Sequence, residues 1–302
     1  MYAPLLGCLE NQLFQYADAR VRNTLVLVEL RWSLLNIVGF ISRVLIMTAS
    51  TDILREQYNR QFFESQLLES SRSAAKLVPL VLDLMHPRTV VDVGCGIGCW
   101  AAQFLAHGAS VTGVDGDWVD GTMLQIPDIC FVQYDLREKL QLEQIFDLAV
   151  CVEVGEHLPE SRASGLIDDL VRLAPCVLFS AAVPGQGGIA HINEQPLSYW
   201  VTRFAERGYQ SVDCLRPLIW EDEDIEWWLR QNIVLFAAPG HPVLSKGDRK
   251  ALDLYHPDYV ASLRERAEQE PGLRICLKAL PRAIRQAFRA RLQALLQHFV
   301  RS

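Results

Sequence analysis

Short apolar segments alternate with longer mixed segments through the middle of the chain. The apolar segments are five to seven residues long and rich in β-branched and aromatic residues, as expected of buried strands. Helical segments separate the first five, which predicts a parallel sheet covered by helices on both faces. The last two flank residues 217–230 and are compatible with an antiparallel pair at one edge. The predicted strands are Thr89–Val93, Ser110–Val114, Cys130–Tyr134, Phe146–Val152, Cys176–Ser180, Tyr209–Cys214 and Ile233–Ala237.

Helical patterns precede and follow these strands. Asp52–Met85 is predicted to form two helices, the first carrying Tyr58, Phe62 and Phe63 and the second near Ser71–Met85. Gly240-His241-Pro242 predicts a domain boundary, followed by a polar helix over Lys250–Gln269.

The last predicted helix, after residue 280, is amphipathic and basic. Arginines flank an apolar face, so the helix could lie on a membrane, bind RNA, dock on a partner or pack on its own domain. The apolar residues are Leu280, Ile284, Phe288, Leu292, Leu295 and Phe299.

Within the first 47 residues, Leu25–Met47 is strongly apolar, but Glu29, Arg31 and Arg43 interrupt it. The longest uncharged stretch has 11 residues, which is too short to span a bilayer. An interfacial helix, a partner-binding helix and an upstream extension of a reading frame that begins at Met47 all stay open. The predicted domains are therefore an N-terminal extension (1–46), an α/β domain (47–240) and a helical C-terminal extension (241–302).

Composition and charge narrow the class of protein. Half of the residues are hydrophobic, and the net charge of −7 argues against nucleic acid as the main partner. The eight cysteines form no CxxC pair, which argues against a zinc knuckle and favours buried thiols in a reducing cytoplasm. The predicted localisation is cytoplasmic, with peripheral membrane contact through the terminal helices left open.

A glycine loop follows the first predicted strand, between Val90 and Trp100. Its glycines permit close backbone approach to a ligand, and the next helix offers its positive N-terminus. Dinucleotide-binding turns usually have an apolar residue where this chain has Asp92, and a third glycine one position later. The Asp-x-Gly-x-Gly-x-Gly form, with Gly94, Gly96 and Gly98, resembles motif I of class I S-adenosylmethionine (SAM) methyltransferases.

This resemblance covers about residues 55–240. It implies a Rossmann-like, doubly wound α/β sheet of seven strands, and SAM as the cofactor. Asp115, at the end of the second strand, is expected to accept the ribose hydroxyls, although a helix cap or turn is the alternative. Asp135, after the third strand, is expected to bind the adenine amino group. The predicted SAM-binding residues are Asp92, Gly94, Cys95, Gly96, Gly98, Asp115, Gly116, Asp135, Leu136 and Glu153.

The fourth strand ends in Glu-x-x-Glu-His, namely Glu153, Glu156 and His157. This pattern resembles two metal-using methyltransferase subgroups, the O-methyltransferases of ubiquinone synthesis and the 2′-O-methyltransferases of RNA 3′ ends. The resemblance implies Mg²⁺ bound by these three side chains, with His191 as a fourth ligand. Such an ion would lower the pKa of an acceptor hydroxyl.

A reaction without metal is the alternative. Glu156 then braces the next helix, and His157 or His191 is the general base. The predicted catalytic residues under either mechanism are His157, His191 and Glu156.

A glycine-rich loop follows the fifth strand and carries His191, Asn193, Glu194 and Gln195. These hydrogen-bonding groups suit a hydroxylated acceptor. The predicted function is SAM-dependent O-methylation of a small molecule such as a sugar or glycoconjugate. RNA ribose 2′-O-methylation and a non-catalytic SAM-binding scaffold stay open as alternatives. The sequence assigns neither the acceptor nor the oligomeric state.

Overall fold

A computed structural model describes Tyr58, residues 60–247 and residues 253–269. The predictions for residues 1–46 and for the last amphipathic helix lie outside these residues. Within them, no helix is long and apolar enough to cross a membrane.

The described residues form a seven-stranded sheet with helices on both faces, which confirms the predicted fold class. The strands are β1 (Thr89–Val93), β2 (Ser110–Asp115), β3 (Phe131–Gln133), β4 (Leu148–Val152), β5 (Cys176–Ser180), β6 (Gln210–Val212) and β7 (Val234–Ala237). The α-helices are α1 (Arg60–Met85), α2 (Cys99–Ala106), α3 (Glu160–Leu173), α4 (Leu197–Ala205), α5 (Arg216–Ile219), α6 (Trp227–Asn232) and α7 (Pro257–Gln269).

The strand order is β3-β2-β1-β4-β5-β7-β6. The first five strands are parallel, and β7 runs antiparallel to both β5 and β6. The chain moves outward from β1 through β2 to β3, and then returns to β4 on the other side of β1. Such a reversal opens a crevice at the carboxyl ends of β1 and β4, where doubly wound sheets bind ligands.

The two faces of the sheet carry separate apolar cores. On one face, α1 and α2 contribute buried residues such as Leu77, Val81 and Phe104. On the other, α3 and α4 contribute Ile167 and Trp200, among others. Each fully buried side chain of this size contributes roughly 1.5–3 kcal/mol to folding. The strands between the helices are therefore fixed from both sides, and their carboxyl ends form a rigid edge.

The predicted helix pair before β1 is wrong, because a single helix runs through Arg60–Met85 and carries both Phe62 and Phe63. Residues 64–70 contain no glycine or proline, so nothing in the chain breaks the helix between the two predicted segments. It ends before His86, which has a positive φ of 46° and is followed by Pro87.

The helix predicted over 250–269 begins later than expected, at Pro257. Residues 253–256 are not helical, and proline suits the first turn of a helix. Before this segment, Val243 and Leu244 are buried in the core that α1 and α2 cover. The described residues after Gly240 thus pack on the α/β domain, and the boundaries of the predicted domains stay a prediction.

We predict that Gly94→Ala destabilises the protein more than Gly108→Ala. Both glycines have positive φ, 79° and 91°, so both substitutions incur a left-handed strain of about 1–2 kcal/mol. A Cβ at Gly94 would also overlap the Val154 side chain, whereas Gly108 has open space. Overpacking adds about 1–3 kcal/mol. Urea unfolding of the two variants measures the difference, and equal losses would contradict the packing of Val154 on this glycine.

Candidate active site

The candidate site lies at the carboxyl ends of β1 and β4, where the strand order reverses. Gly94 follows β1, and Glu153 follows β4. Val154 packs directly against Gly94, so the glycine loop and the turn after β4 are in contact.

The glycine loop folds back over the end of β2. The backbone N–H groups of Gly94 and Cys95 both donate to the carbonyl oxygen of Val114, at 2.8 and 3.1 Å. Gly96 and Gly98 adopt φ values of 53° and 84°, a region that glycine enters at little cost. The predicted loop is therefore a tight turn that leads directly into α2.

The Cys95 thiol is buried between this turn and β2. Its sulfur packs against Gly113 in β2 and contacts the Gly96 carbonyl oxygen at 3.4 Å. Burial raises the pKa of this thiol well above its ordinary value, so it is neutral. A cofactor contact by Cys95 would therefore use its backbone.

Two apolar side chains border the loop. Phe63 of α1 would lie 3.4 Å from a Cβ added at Gly96, and Ile126 would lie 3.1 Å from a Cβ added at Gly98. Both are buried. They form apolar walls next to the backbone that is expected to bind the cofactor. No motif in the sequence indicates this position of Ile126.

Asp92 is buried and holds the start of α2. Its Oδ2 accepts a hydrogen bond from the backbone N–H of Ala101 at 3.1 Å, which satisfies a donor of the first helical turn. Burial raises the pKa of Asp92 to about 7, the Ala101 hydrogen bond opposes this rise, and the Asp115 charge adds to it. The described contact of Asp92 thus stabilises the start of α2, and its contact with the cofactor stays a prediction.

Asp115 joins the glycine loop to the end of β2. Its two carboxylate oxygens accept from the N–H groups of Gly96 and Gly116, at 2.7 and 2.6 Å. Burial raises its pKa, while these hydrogen bonds and one from the Trp118 side chain lower it. Each oxygen has a further lone pair, so the predicted contact with ribose hydroxyls is sterically separate from these bonds. The Trp118 ring covers Gly116.

Asp135 lies beyond β3 and is bound by Arg137. The guanidinium donates to both carboxylate oxygens, with distances from 2.6 to 3.0 Å, and the Arg137 N–H donates at 2.9 Å. Partial burial raises the pKa of Asp135, but these hydrogen bonds outweigh it and lower the pKa overall. Its predicted adenine contact would thus share the carboxylate with Arg137. The Leu136 side chain is buried in the core, which leaves only its backbone for a cofactor.

Glu156, His157 and His191 are brought together, as the sequence predicts. One potential ligand atom from each lies within 4.8 Å of the other two, and the two imidazole rings meet edge to face with centroids 4.9 Å apart. The Glu156 carbonyl oxygen accepts from the N–H groups of Ile192 and Asn193. These bonds hold the loop after β5 against the turn after β4.

The Glu156 carboxyl group is the unusual member of this cluster. It is fully buried, and among the described residues its oxygens lie beside the Glu153 carboxyl group and the Ala182 backbone without a hydrogen bond of normal geometry. Burial raises its pKa well above the ordinary value, and the Glu153 charge raises it further. Burial also lowers the pKa of His157 to about 4, and His191 contributes to this shift. A buried acceptor without such a bond marks a place where a ligand or proton is expected.

Glu153 is not among the three residues whose ligand atoms converge, although its carboxyl group lies close enough to Glu156 to affect its pKa. Its backbone has a φ of 55°, and its carboxylate accepts from Ser180 Oγ at 2.8 Å and from Gln186 Nε2 at 2.9 Å. Burial raises its pKa, and these two hydrogen bonds oppose the rise. Glu153, predicted as a metal and cofactor ligand, is thus occupied by β5 and its loop.

The remaining cluster offers one carboxylate and two imidazoles. Mg²⁺ prefers oxygen ligands, whereas mixed nitrogen and oxygen sets suit Mn²⁺, Fe²⁺ or Zn²⁺. The Glu156 oxygens, which lack a hydrogen bond of normal geometry among the described residues, fit a cation at this position. The donor set therefore fits a divalent transition metal better than the Mg²⁺ that the sequence pattern implies.

Sequence reasoning missed two residues that shape the site. Gln186 connects Glu153 to Asn232, whose Nδ2 donates to Gln186 Oε1 at 2.9 Å. Asn232 is almost fully buried at the end of α6, although asparagine is usually exposed. A polar Gln-Asn pair directly before an apolar strand is the signal that could have drawn attention to it.

Comparison with known proteins gives consistent matches. Residues 63–212 match the family model described as "Methyltransferase domain". The ubiquinone biosynthesis O-methyltransferase of Nitrosomonas europaea is 30% identical over 129 residues, which cover 38% of this chain and 48% of that protein. The chloroplastic magnesium protoporphyrin IX methyltransferase of Arabidopsis thaliana is 28% identical over 95 residues, or 28% of this chain and 30% of that protein. The chain spans about half the length of the ubiquinone-pathway relatives.

A solved structure of the magnesium protoporphyrin IX methyltransferase of Synechocystis PCC 6803, with bound SAH, also resembles the chain. It has a TM-score of 0.46 and 17% identity, and the match covers 62% of this chain and 99% of that one.

We predict that Asp92→Asn flattens the pH dependence of stability. Since the folded pKa, about 7, lies above the ordinary 3.8, the folded protein binds the proton more tightly than the unfolded chain. The resulting stability is present below the unfolded pKa and is lost as the pH rises through about 7. Asparagine retains an acceptor for Ala101 without the charge. In urea unfolding without ligand, the free energy of unfolding of the variant, relative to that of the wild type, should therefore rise by about 2 kcal/mol between pH 5 and pH 8.

Asp92→Ala is the control for this experiment. It removes the charge and the acceptor together, so it should be less stable than Asp92→Asn at every pH. Parallel pH profiles of wild type and Asp92→Asn would contradict the raised pKa.

Proposed function

Because this chain belongs to the class I SAM-dependent methyltransferase family, we propose that it transfers the methyl group of SAM to a hydroxyl group of a small-molecule acceptor. One observation carries the proposal. The turn that bears Glu156 and His157 packs through Val154 on Gly94, so the expected cofactor loop and the candidate catalytic cluster are neighbours. Methyl transfer requires this proximity, since the acceptor must approach the sulfonium methyl group in line and at short range.

The cofactor would lie along the carboxyl ends of β1, β2 and β3. The glycine loop would contact it through the backbone, Asp115 would accept ribose hydroxyls, and Asp135 would accept from the adenine amino group. Phe63 and Ile126 would supply apolar contacts. The tight loop geometry and the burial of Asp115 support this assignment.

The acceptor would reach the site between the turns after β4 and β5. Its hydroxyl oxygen attacks the methyl carbon, the carbon–sulfur bond breaks, and its electron pair stays on sulfur to give S-adenosylhomocysteine. In a reaction without metal, we assign His191 to receive the hydroxyl proton. Glu194 Oε1 lies 3.1 Å from His191 Nδ1 and orients the ring.

We further propose that the same cluster binds a metal ion. Glu156, His157 and His191 would hold a divalent ion, which supplies Lewis-acid activation of the hydroxyl when bound. Without the ion, the same three residues would bind the acceptor hydroxyl directly.

An oxygen acceptor agrees with the names of several curated relatives, which are O-methyltransferases of ubiquinone biosynthesis. The polar groups of the loop after β5, including His191, Glu194 and Gln195, suit a hydroxylated acceptor such as a sugar or glycoconjugate. The negative net charge disfavours RNA.

We predict that Glu156→Gln lowers methyl transfer on the order of 100-fold while SAM affinity changes little, because Glu156 belongs to the catalytic cluster and its side chain forms none of the described contacts of the glycine loop. The measurement is transfer of labelled methyl from SAM to sugars, nucleotide sugars, glycolipids, phenols and short RNAs, with SAM affinity from calorimetry.

Glu160→Gln, an exposed position at the start of α3, is the matched control and should retain full activity. Unchanged turnover in Glu156→Gln would remove the cluster from the mechanism. Retained SAM binding with no transfer to any acceptor would favour the scaffold alternative.

We also predict that the protein binds one Mn²⁺ per chain, and more tightly than Mg²⁺, because two imidazoles and one carboxylate form the candidate site. Mn²⁺ titration followed by electron paramagnetic resonance measures the affinity. His191→Ala should weaken binding at least tenfold, whereas His107→Ala, at an exposed histidine on the α2 end, should not. Equal Mn²⁺ affinity in His191→Ala, or transfer that EDTA leaves unchanged, would favour the metal-free alternative.

A further inference from the structure

The loop after β5 (residues 184–194, the acceptor loop) is held from outside by α7. The Tyr259 hydroxyl donates to the Pro184 carbonyl oxygen at 2.6 Å, and Arg266 Nη2 donates to the Gly185 carbonyl oxygen at 2.5 Å. Leu263, between them on the helix, lies against Gly185. One helix face thus binds two consecutive carbonyl groups of the loop.

The acceptor loop needs such external contacts. Gly185, Gly187 and Gly188 all have positive φ, at 86°, 70° and 156°. Glycine backbones lose more conformational freedom on ordering than any other residue. Three such residues in four positions give the loop little conformational preference of its own, so its shape depends on its hydrogen bonds.

The same loop is bound from inside by Glu194. Its carboxylate accepts from the N–H groups of Gly185 and Gly187, both at 2.7 Å, and contacts His191 Nδ1 at 3.1 Å. Gly185 is therefore fixed through its N–H by Glu194 and through its carbonyl by Arg266. The position of His191 is coupled to α7 through one glycine residue.

A second, independent connection runs through buried amides. Four hydrogen bonds, each 2.7–3.0 Å long, extend from the start of α7 to the end of β4. Every donor points toward Glu153, and hydrogen bonds aligned in this way polarise one another. In order, the bonds run from His256 N–H to Gln231, from Gln231 to Asn232, from Asn232 to Gln186, and from Gln186 to Glu153.

The segment that bears α7 is itself anchored to the α/β domain. Asp253 accepts from the N–H of Ser198 at 2.8 Å at the start of α4. Asp258 accepts from the buried Arg230 at 2.8 Å. These contacts do not involve the acceptor loop, so α7 has a defined position from which to hold it.

We propose that α7 is a latch on the acceptor loop, and that Tyr259 and Arg266 are positioning residues for methyl transfer. They act through Gly185 and Glu194 on His191, and the amide chain fixes Glu153 from the same segment. The active site is then incomplete without residues 253–269. This inference rests on the proposed function, and it requires that the latch affects the acceptor step rather than SAM binding.

Tyr259→Phe in the full chain is the main test, because it removes one hydroxyl and retains the ring. Hydrogen exchange of residues 183–195 should become about tenfold faster, in line with the loss of one hydrogen bond. With the acceptor found in the labelled-methyl panel, kcat should fall about tenfold, while the Kd for SAM stays within twofold.

Tyr209→Phe is the matched control. The Tyr209 hydroxyl donates to the carbonyl oxygens of Val171 and Ala174, beside the amino end of β5 and at the opposite edge of the sheet. Its loss should leave loop exchange and kcat unchanged. Arg266→Met should reproduce Tyr259→Phe, and Arg266→Lys, which retains a donor, should restore most of the activity.

The outcomes separate the latch from the proposed function. Unchanged loop exchange in both Tyr259→Phe and Arg266→Met overturns the latch, whatever the turnover. Faster exchange with unchanged kcat overturns the positioning role. If the wild type methylates no acceptor, the proposed function fails, and the exchange measurement still decides whether α7 holds the loop.

Discussion

The contact between Val154 and Gly94 is the constraint on which the candidate site depends. It places the turn after β4 directly on the loop after β1, and it exists only because residue 94 has no Cβ. The strand order makes β1 and β4 neighbours, and this contact joins the turns that follow them. This one packing contact sets the spacing between the expected cofactor loop and the Glu156 cluster.

Buried acidic groups surround this contact. Asp92, Asp115 and Glu156 are all almost inaccessible to water, and burial raises the pKa of each. Such an arrangement costs folding free energy, which the two apolar cores offset. Asp92 and Asp115 use backbone N–H groups to reduce this cost, whereas the Glu156 oxygens have no such hydrogen bond of normal geometry among the described residues. Glu156 therefore lies where a ligand is expected to react, whereas Asp92 and Asp115 stabilise the loop and helix around it.

Local patterns in the sequence predict the sheet and part of the site. Apolar runs predict the strands within one or two residues, but the sequence alone does not give the direction of the last two, which the structure shows to be antiparallel to each other. The proximity of Glu156, His157 and His191 follows because parallel strands end at one edge. The predicted split of α1 is wrong because residues 64–70 contain no glycine or proline, and serine and glutamate do not end a helix there. The occupation of Glu153 by Gln186 could not be predicted, since it depends on contacts between distant segments.

The amide chain from His256 to Glu153 has a direction. Each carboxamide has one donating and one accepting end, so a single sense of orientation satisfies every link. A glutamate in place of Gln186 or Gln231 would match the shape yet lose the N–H donor of one link, so that two acceptor oxygens would face each other. Evolution can therefore alter these positions only together. Substitutions along the connection from the start of α7 to the end of β4 are therefore expected to be correlated, although more than 100 residues separate its two ends in the chain.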